Sequence, residues 1–97
     1  MRITTHPGEI LREEFMLPLG LSANALALAL RVPANRIGAI IRQDTPRAVT
    51  ADTAMRLARY FNTTPQFWMN LQSAYDLSMA QVKLQAAIER DVRPRAA

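Results

Sequence analysis

Apolar residues recur at the spacing of an α-helix along almost the whole of this chain, which has 97 residues. One set lies at positions i, i+3, i+4 and i+7 and so shares one face of a helix: Ala54, Leu57, Ala58 and Phe61. No segment of four or more residues alternates apolar and polar side chains with the β-branched enrichment of a strand. The sequence therefore predicts an all-α fold, and its length predicts one domain over residues 1–97.

Residues that favour the first turn of a helix mark five starts, at Pro7, Ser22, Pro33 or Ala34, Thr50, and Thr64 with Pro65. We expect the first helix to end before Pro18 and Gly20, because proline interrupts helical hydrogen bonding and glycine favours a helix end. Helical propensity predicts a further C-terminal helix at about 79–90, followed by a tail at 91–97. The predicted fold is thus a domain of five to six helices.

Composition argues against several classes of protein. The chain has no cysteine and one histidine, so disulfides and thiolate metal sites are excluded and zinc or general-base chemistry has few ligands. The sequence contains neither a nucleophile–base pair nor a phosphate-binding glycine loop, and an enzyme or a cofactor is not expected. The longest apolar run, residues 25–30, is far too short to span a bilayer, and no signal peptide is visible. These features predict a cytoplasmic protein that does not bind membranes.

Residues 22–42 have the spacing of a helix-turn-helix, with Arg31, Val32 and Pro33 between two short helices. The helices of this motif cross closely, so one contact position must be small, and Ala27 meets that need. The residues expected to fix the crossing angle are apolar: Leu26, Leu30, Val32, Ile37 and Ile40. The same pattern fits an ordinary helical hairpin in a small bundle, and that alternative stays open here.

A helix-turn-helix that binds DNA places the outer face of its second helix in the major groove. Here that face carries small residues, which permit close approach, and Asn and Arg side chains, which can bond base edges or phosphates. Two arginines follow in the next loop, where a phosphate contact would lie. The predicted DNA-binding residues are Ser22, Ala34, Asn35, Arg36, Ala39, Arg42 and Arg47.

The distribution of charge supports an anionic partner for this part of the chain. The formal net charge is +4. Residues 22–59 hold six arginines and only two acidic residues, Asp44 and Asp52, whereas the other residues hold six basic and six acidic groups. The whole excess therefore lies on the helix-turn-helix and the helix that follows it, which favours contact with duplex phosphates.

Two further features have structural interpretations. A large apolar face on the fifth helix comprises Phe67, Trp68, Leu71 and Tyr75. These side chains can form core alone, or core together with a dimer contact, because a small chain has little core to cover so many aromatic groups. His6 has no second histidine and no cysteine to accompany it, so a structural role at the start of the first helix is favoured over catalysis.

Several motifs occur in an order that resembles HigA-type antitoxins of the Xre group. They are HPGEIL at 6–11, LGLS at 19–22, TADTAMRLARYF at 50–61, PQFWMNLQ at 65–72 and AYDL at 74–77. The resemblance covers residues 6–77 and implies a lambda-repressor-like fold. It also implies that the protein neutralises a HigB-type toxin, a RelE-like mRNA interferase, and represses its own operon by binding operator DNA as a homodimer. The family's base-reading positions correspond to Ala34, Asn35, Arg36 and Ala39.

The chain departs from the family pattern near the predicted DNA contacts. The loop at 42–49 is about two residues longer and lacks glycine, Ala23 stands where many relatives have glutamine, and Arg31 replaces a frequent glycine. These differences bear on operator sequence and phosphate contacts rather than on fold. Two alternatives remain: a stand-alone Xre-type regulator without a toxin, and an interaction module that has lost DNA binding. Toxin contact is expected on the N-terminal segment or the C-terminal region.

Overall fold

A computed structural model describes residues 2–96, and it contains five helices within them. The first, α1, runs through three consecutive segments, Pro7–Ile10, Leu11–Met16 and Leu17–Leu19. The others are α2 (Ala23–Leu30), α3 (Ala34–Ile40), α4 (Ala51–Phe61) and α5 (Pro65–Asp91). No strand occurs in the described residues, and the predicted all-α fold is confirmed.

Side-chain caps begin these helices where the sequence predicts them. Ser22 Oγ accepts a hydrogen bond from the backbone N–H of Ala25 at 3.0 Å, and Thr64 Oγ1 accepts one from Phe67 at 3.1 Å. Thr50 caps α4 in the same way. Each cap satisfies a backbone donor that has no partner within its own helix, which fixes the first residue of the helix.

The prediction that α1 ends before Pro18 is wrong, because the helix continues through Pro18 to Leu19. Its middle segment, Leu11–Met16, has π-helical hydrogen bonding, and the N–H of Leu17 donates to the carbonyl of Arg12. The wider turn relieves the clash that a proline ring otherwise makes with the carbonyl four residues earlier. Gly20 then ends the helix in the left-handed conformation, with φ 64°.

The C-terminal helix predicted at 79–90 is not a separate element. It is the second half of α5, which has 27 residues. Neither glycine nor proline occurs between Pro65 and Asp91, so nothing in the sequence interrupts the helix. At about 1.5 Å per residue, α5 accounts for most of the molecule's longest dimension of 53 Å.

The core lies between the first half of α5 and the other four helices. Trp68 is fully buried and packs against the rings of Phe15 and Phe67, with centroid separations of 5.1 Å and 5.0 Å. Its Nε1–H donates to Thr63 Oγ1 at 2.8 Å, so the indole has no unpaired polar group. Among residues 2–96, no helix combines the length and apolar character needed to cross a bilayer.

Candidate nucleic-acid interface

The helices α2 and α3 form the predicted helix-turn-helix. Arg31 ends α2 in the left-handed conformation, with φ 63°, and the N–H of Val32 donates to the carbonyl of Ala27 at 3.0 Å. Ala27 is buried at the crossing of the two helices, as its small side chain predicts. Of the five residues expected to fix the crossing angle, Val32 is half-buried. The other four are buried: Leu26, Leu30, Ile37 and Ile40. The hairpin geometry is therefore set by a shared core.

The outer face of α3 borders an open surface cavity with a volume of about 520 Å³, which we call the recognition groove. The side of the groove formed by α3 includes Asn35, Arg36 and Ala39, and the loop contributes Arg47. The start of α4 closes the other side with Asp52. Four predicted DNA-binding residues thus share one surface, and the loop is fixed beside α3 because the N–H of Arg47 donates to the carbonyl of Ala39 at 2.9 Å.

Three predicted residues lie outside this groove. Ser22 caps α2, and Ala34 is exposed at the first position of α3. Arg42 borders a different cavity, beside the N-terminal segment, and its guanidinium donates to both oxygens of Asp44 at 3.2 Å and 3.1 Å. Those hydrogen bonds lower the pKa of the Asp44 carboxyl. Arg42 and Asp44 form an exposed ion pair.

Asp52 has a role that the sequence does not predict: its carboxylate bridges two arginines. Its carboxylate accepts from Arg36 Nη1 at 2.6 Å and from Arg56 Nε at 3.1 Å, while Arg56 Nη1 donates to the Leu30 carbonyl at 2.8 Å. These hydrogen bonds lower the pKa of the Asp52 carboxyl, and the bond from Arg56 has a larger effect than the bond from Arg36. A single carboxylate therefore joins α4 to α3 and, through Arg56, to the end of α2. The four-residue spacing of Asp52 and Arg56 predicts their pairing, but not the bond to Arg36.

The HPG motif holds the end of α3. A Cβ on Gly8 would overlap the carbonyl oxygen of Ile40, and Arg12 Nη1 donates to the carbonyl of Ile41 at 2.6 Å. The start of α1 thus covers the last carbonyl groups of α3, which the helix itself leaves without partners. From this motif the sequence predicts only the start of α1. A glycine in the first turn, where it lowers helix stability, was the available signal of a close approach.

Comparisons with known proteins agree with this geometry. A model of the helix-turn-helix family matches residues 11–68. This chain belongs to that family. Virulence-associated protein I of Dichelobacter nodosus is 59% identical over 76 residues, which cover 78% of this chain and 68% of that protein.

Solved structures place the chain with HigA-type antitoxins. An addiction-module antidote protein of the HigA family from Coxiella burnetii shares 50% identity, covers 97% of this chain and 100% of its own, and superposes with a TM-score of 0.87. Antitoxin HigA of Pseudomonas aeruginosa, solved with the higBA promoter, shares 47% identity over 95% of this chain and 98% of its own, with a TM-score of 0.87. The chain is thus a HigA-type member of the family.

The apolar face predicted as a dimer contact divides into two parts in this HigA-type fold. Trp68 has no exposed surface and cannot contact a partner, so it belongs to the core alone. Phe67 is 38% exposed, and Leu71 and Tyr75 are half-buried. A contact between protomers through these three residues stays a prediction.

His6 has the structural role that was predicted. Its Nδ1 accepts from the N–H of Gly8 at 2.8 Å, capping α1, and its ring meets Tyr75 edge-on with centroids 4.7 Å apart. Burial lowers the pKa of His6, while the charge of Asp76 and hydrogen bonding to the Arg47 backbone act in the opposite direction. The capping bond requires an unprotonated Nδ1, so the neutral ring is the form that fits this fold.

Lowering the pH should therefore destabilise the HigA-type fold. The unfolded chain takes up a proton at His6 near pH 6.5, whereas the folded chain resists until lower pH. The free energy of unfolding should be fully retained above that value and fall as the pH drops toward the lower, folded pKa. Urea denaturation at about pH 7.5 and about pH 5.5 measures the effect.

His6→Asn is the matched control for this prediction. Asparagine keeps an acceptor for the cap but does not titrate, and His6 is the only histidine of the chain. The variant should lose stability at the higher pH yet show a smaller difference between the two pH values. Equal pH dependence in the two proteins would contradict the assignment.

Proposed function

We propose that this HigA-type protein is an antitoxin and autorepressor. It binds operator DNA as a homodimer, and it binds and neutralises a HigB-type toxin, a RelE-like mRNA interferase. The observation that carries the DNA half is the recognition groove, where Asn35, Arg36 and Arg47 converge beside a helix of the correct motif. The similar antitoxin from Pseudomonas aeruginosa, solved with the higBA promoter, supports it.

Each groove residue has a chemistry suited to a duplex. The Asn35 amide can form two simultaneous hydrogen bonds with the major-groove edge of adenine, and Arg36 can donate two hydrogen bonds to guanine. Ala39 permits α3 to approach the bases, because a methyl group leaves room. Arg47 is the proposed phosphate contact, because its loop is held beside α3. Ser22, Ala34 and Arg42 are proposed as flanking contacts at the edges of this surface.

The homodimer supplies two copies of α3 to one duplex. Half-site recognition requires the two helices to lie about 34–36 Å apart, one turn of DNA. Phe67, Leu71 and Tyr75 are the proposed contact between protomers, since they are apolar and retain exposed surface. The two-fold symmetry of a homodimer requires an operator that also has two-fold symmetry.

Binding to duplexes selected from a random pool tests the DNA half. We expect Asn35→Ala and Arg36→Ala each to weaken operator binding by about 1–3 kcal/mol and to relax preference at one base pair per half-site. Arg47→Gln should weaken binding to all duplexes alike and lower the salt slope by about one, because it removes a phosphate contact. Fluorescence anisotropy over a range of salt concentrations measures both quantities.

Arg93→Gln is the control for lost charge, since Arg93 lies beyond α5 and outside the groove. It should leave the base preference and the operator affinity close to those of the unaltered protein. Selection that yields no common sequence, or Arg36→Ala with an unchanged base preference, would overturn the DNA half of the proposal.

Co-expression tests the toxin half. A neighbouring reading frame that encodes a RelE-like toxin should yield a complex that co-purifies with this protein, and the complex should no longer cleave mRNA. The proposed contact lies on residues 2–6 or on the second half of α5, because the recognition groove must remain open to DNA. Sequence-specific DNA binding without any such complex would instead establish a stand-alone regulator.

A further inference from the structure

Asp52 holds the arginine that is proposed to read a base. Arg36 lies on α3 and Asp52 on α4, 16 positions apart in the chain, and their atoms Nη1 and Oδ2 are 2.6 Å apart. Both side chains are partly exposed, so the pair lies at the open edge of the recognition groove rather than in the core. An exposed ion pair stabilises a fold very little, which leaves positioning as its larger effect.

The bond leaves the reading edge of Arg36 available. Within residues 2–96, the hydrogen bonds of this guanidinium are confined to Nη1. The edge formed by Nε and Nη2 therefore keeps two parallel donors, the arrangement that guanine O6 and N7 accept. A carboxylate on one side of a planar fork restricts its rotation and so fixes the direction in which the other edge points.

Asp52 is itself held in place. Arg56 Nε donates to both of its oxygens, at 3.3 Å and 3.1 Å, and Arg56 Nη1 is bound to the Leu30 carbonyl at the end of α2. The orientation of the Arg36 side chain is therefore fixed relative to α4, which carries Asp52 and Arg56, and to the end of α2, which Arg56 contacts. Without the carboxylate, the long side chain would sample several rotamers on the surface of α3.

A carboxylate in this position also repels DNA phosphates, so it lowers affinity for every duplex regardless of sequence. The gain that it can offer through the orientation of Arg36 is discrimination between sequences. We propose that Asp52 is a positioning residue that sets the base preference of Arg36 and suppresses binding to other sequences. This inference rests on the proposed function, because it requires Arg36 to contact a base.

The test compares Asp52→Asn with Asp44→Asn. Each substitution removes one negative charge, but Asp52 pairs with Arg36 and Arg56, whereas Asp44 pairs with Arg42 outside the recognition groove. Affinities are measured for the selected operator, for a scrambled duplex of the same composition, and for operators altered at single base pairs. Arg36→Ala identifies the base pair that Arg36 reads, and thermal denaturation reports the fold of each variant.

Asp52→Asn is expected to bind the scrambled duplex at least as tightly as the unaltered protein, and to lose about tenfold in discrimination at the base pair assigned to Arg36. Asp44→Asn should bind both duplexes more tightly with its base preference unchanged. A uniform change in Asp52→Asn, with preference at that base pair intact, would overturn the proposal. So would equal weakening on both duplexes together with a lower Tm, because the role would then be structural.

These outcomes are distinct from failure of the proposed function. An unaltered protein that does not discriminate between duplexes would refute base reading itself. An unaltered protein that discriminates, beside an Asp52→Asn variant that does so equally well, would refute only the role of Asp52. Combining Asp52→Asn with Arg36→Ala completes the comparison. The double variant should discriminate no less than Arg36→Ala alone, because Asp52 acts through Arg36.

Discussion

Replacing Gly8 by alanine is expected to lower the free energy of unfolding by about 3 kcal/mol. The added Cβ would overlap the backbone carbonyl of Ile40, which belongs to α3 and cannot rotate away as a side chain can. The start of α1 cannot retreat freely either, because the N–H of Gly8 is bonded to His6 Nδ1 and Leu11 is fully buried one turn later. Urea denaturation above pH 7 measures the change.

The other two glycines make this a matched series. A Cβ on Gly38 meets no atom within 4 Å, so Gly38→Ala should stabilise the protein by about 0.8 kcal/mol through helix propensity. A Cβ on Gly20 also has open space, but its φ of 64° should make Gly20→Ala destabilising by about 1 kcal/mol. If Gly8→Ala were no more destabilising than Gly20→Ala, the close approach of α1 to α3 would be refuted.

Replacing Trp68 by alanine is expected to destabilise the protein by about 4 kcal/mol, the range for removing a buried aromatic side chain. Trp68 is fully enclosed and contacts rings from α1 and α5, so no neighbour on one helix can fill the space alone. Chemical denaturation monitored by circular dichroism measures the loss, because the variant no longer has the indole fluorescence.

Two further substitutions distinguish burial from mere apolar character. Trp68→Phe keeps a ring in the core but removes the hydrogen bond from Nε1 to Thr63, and it should destabilise the fold by about 2 kcal/mol. Leu28→Ala, on the exposed face of α2, should change stability by no more than about 0.5 kcal/mol. Comparable losses at Trp68 and Leu28 would contradict the assigned core.

Helix starts and the helix-turn-helix could be predicted because they depend on residues close together in the chain. A capping oxygen at Ser22 or Thr64 bonds a donor three positions later, so local sequence contains both partners. The end of α1 could not be predicted, since proline usually stops a helix and the π-helical turn that accommodates Pro18 has no simple pattern. The prediction of a separate helix at 79–90 followed from weak apolar periodicity in the second half of α5, which packs against little of the protein.

By itself, the sequence determined the all-α class, the position of the helix-turn-helix and the confinement of the excess charge to residues 22–59. Only the tertiary structure decided that Gly8 and Arg12 cover the end of α3 and that Asp52 holds Arg36. The first set depends on spacing within one or two helical turns. The second depends on how helices cross, since Arg12 and Ile41 are 29 positions apart and meet only because packing of the shared core brings α1 against α3.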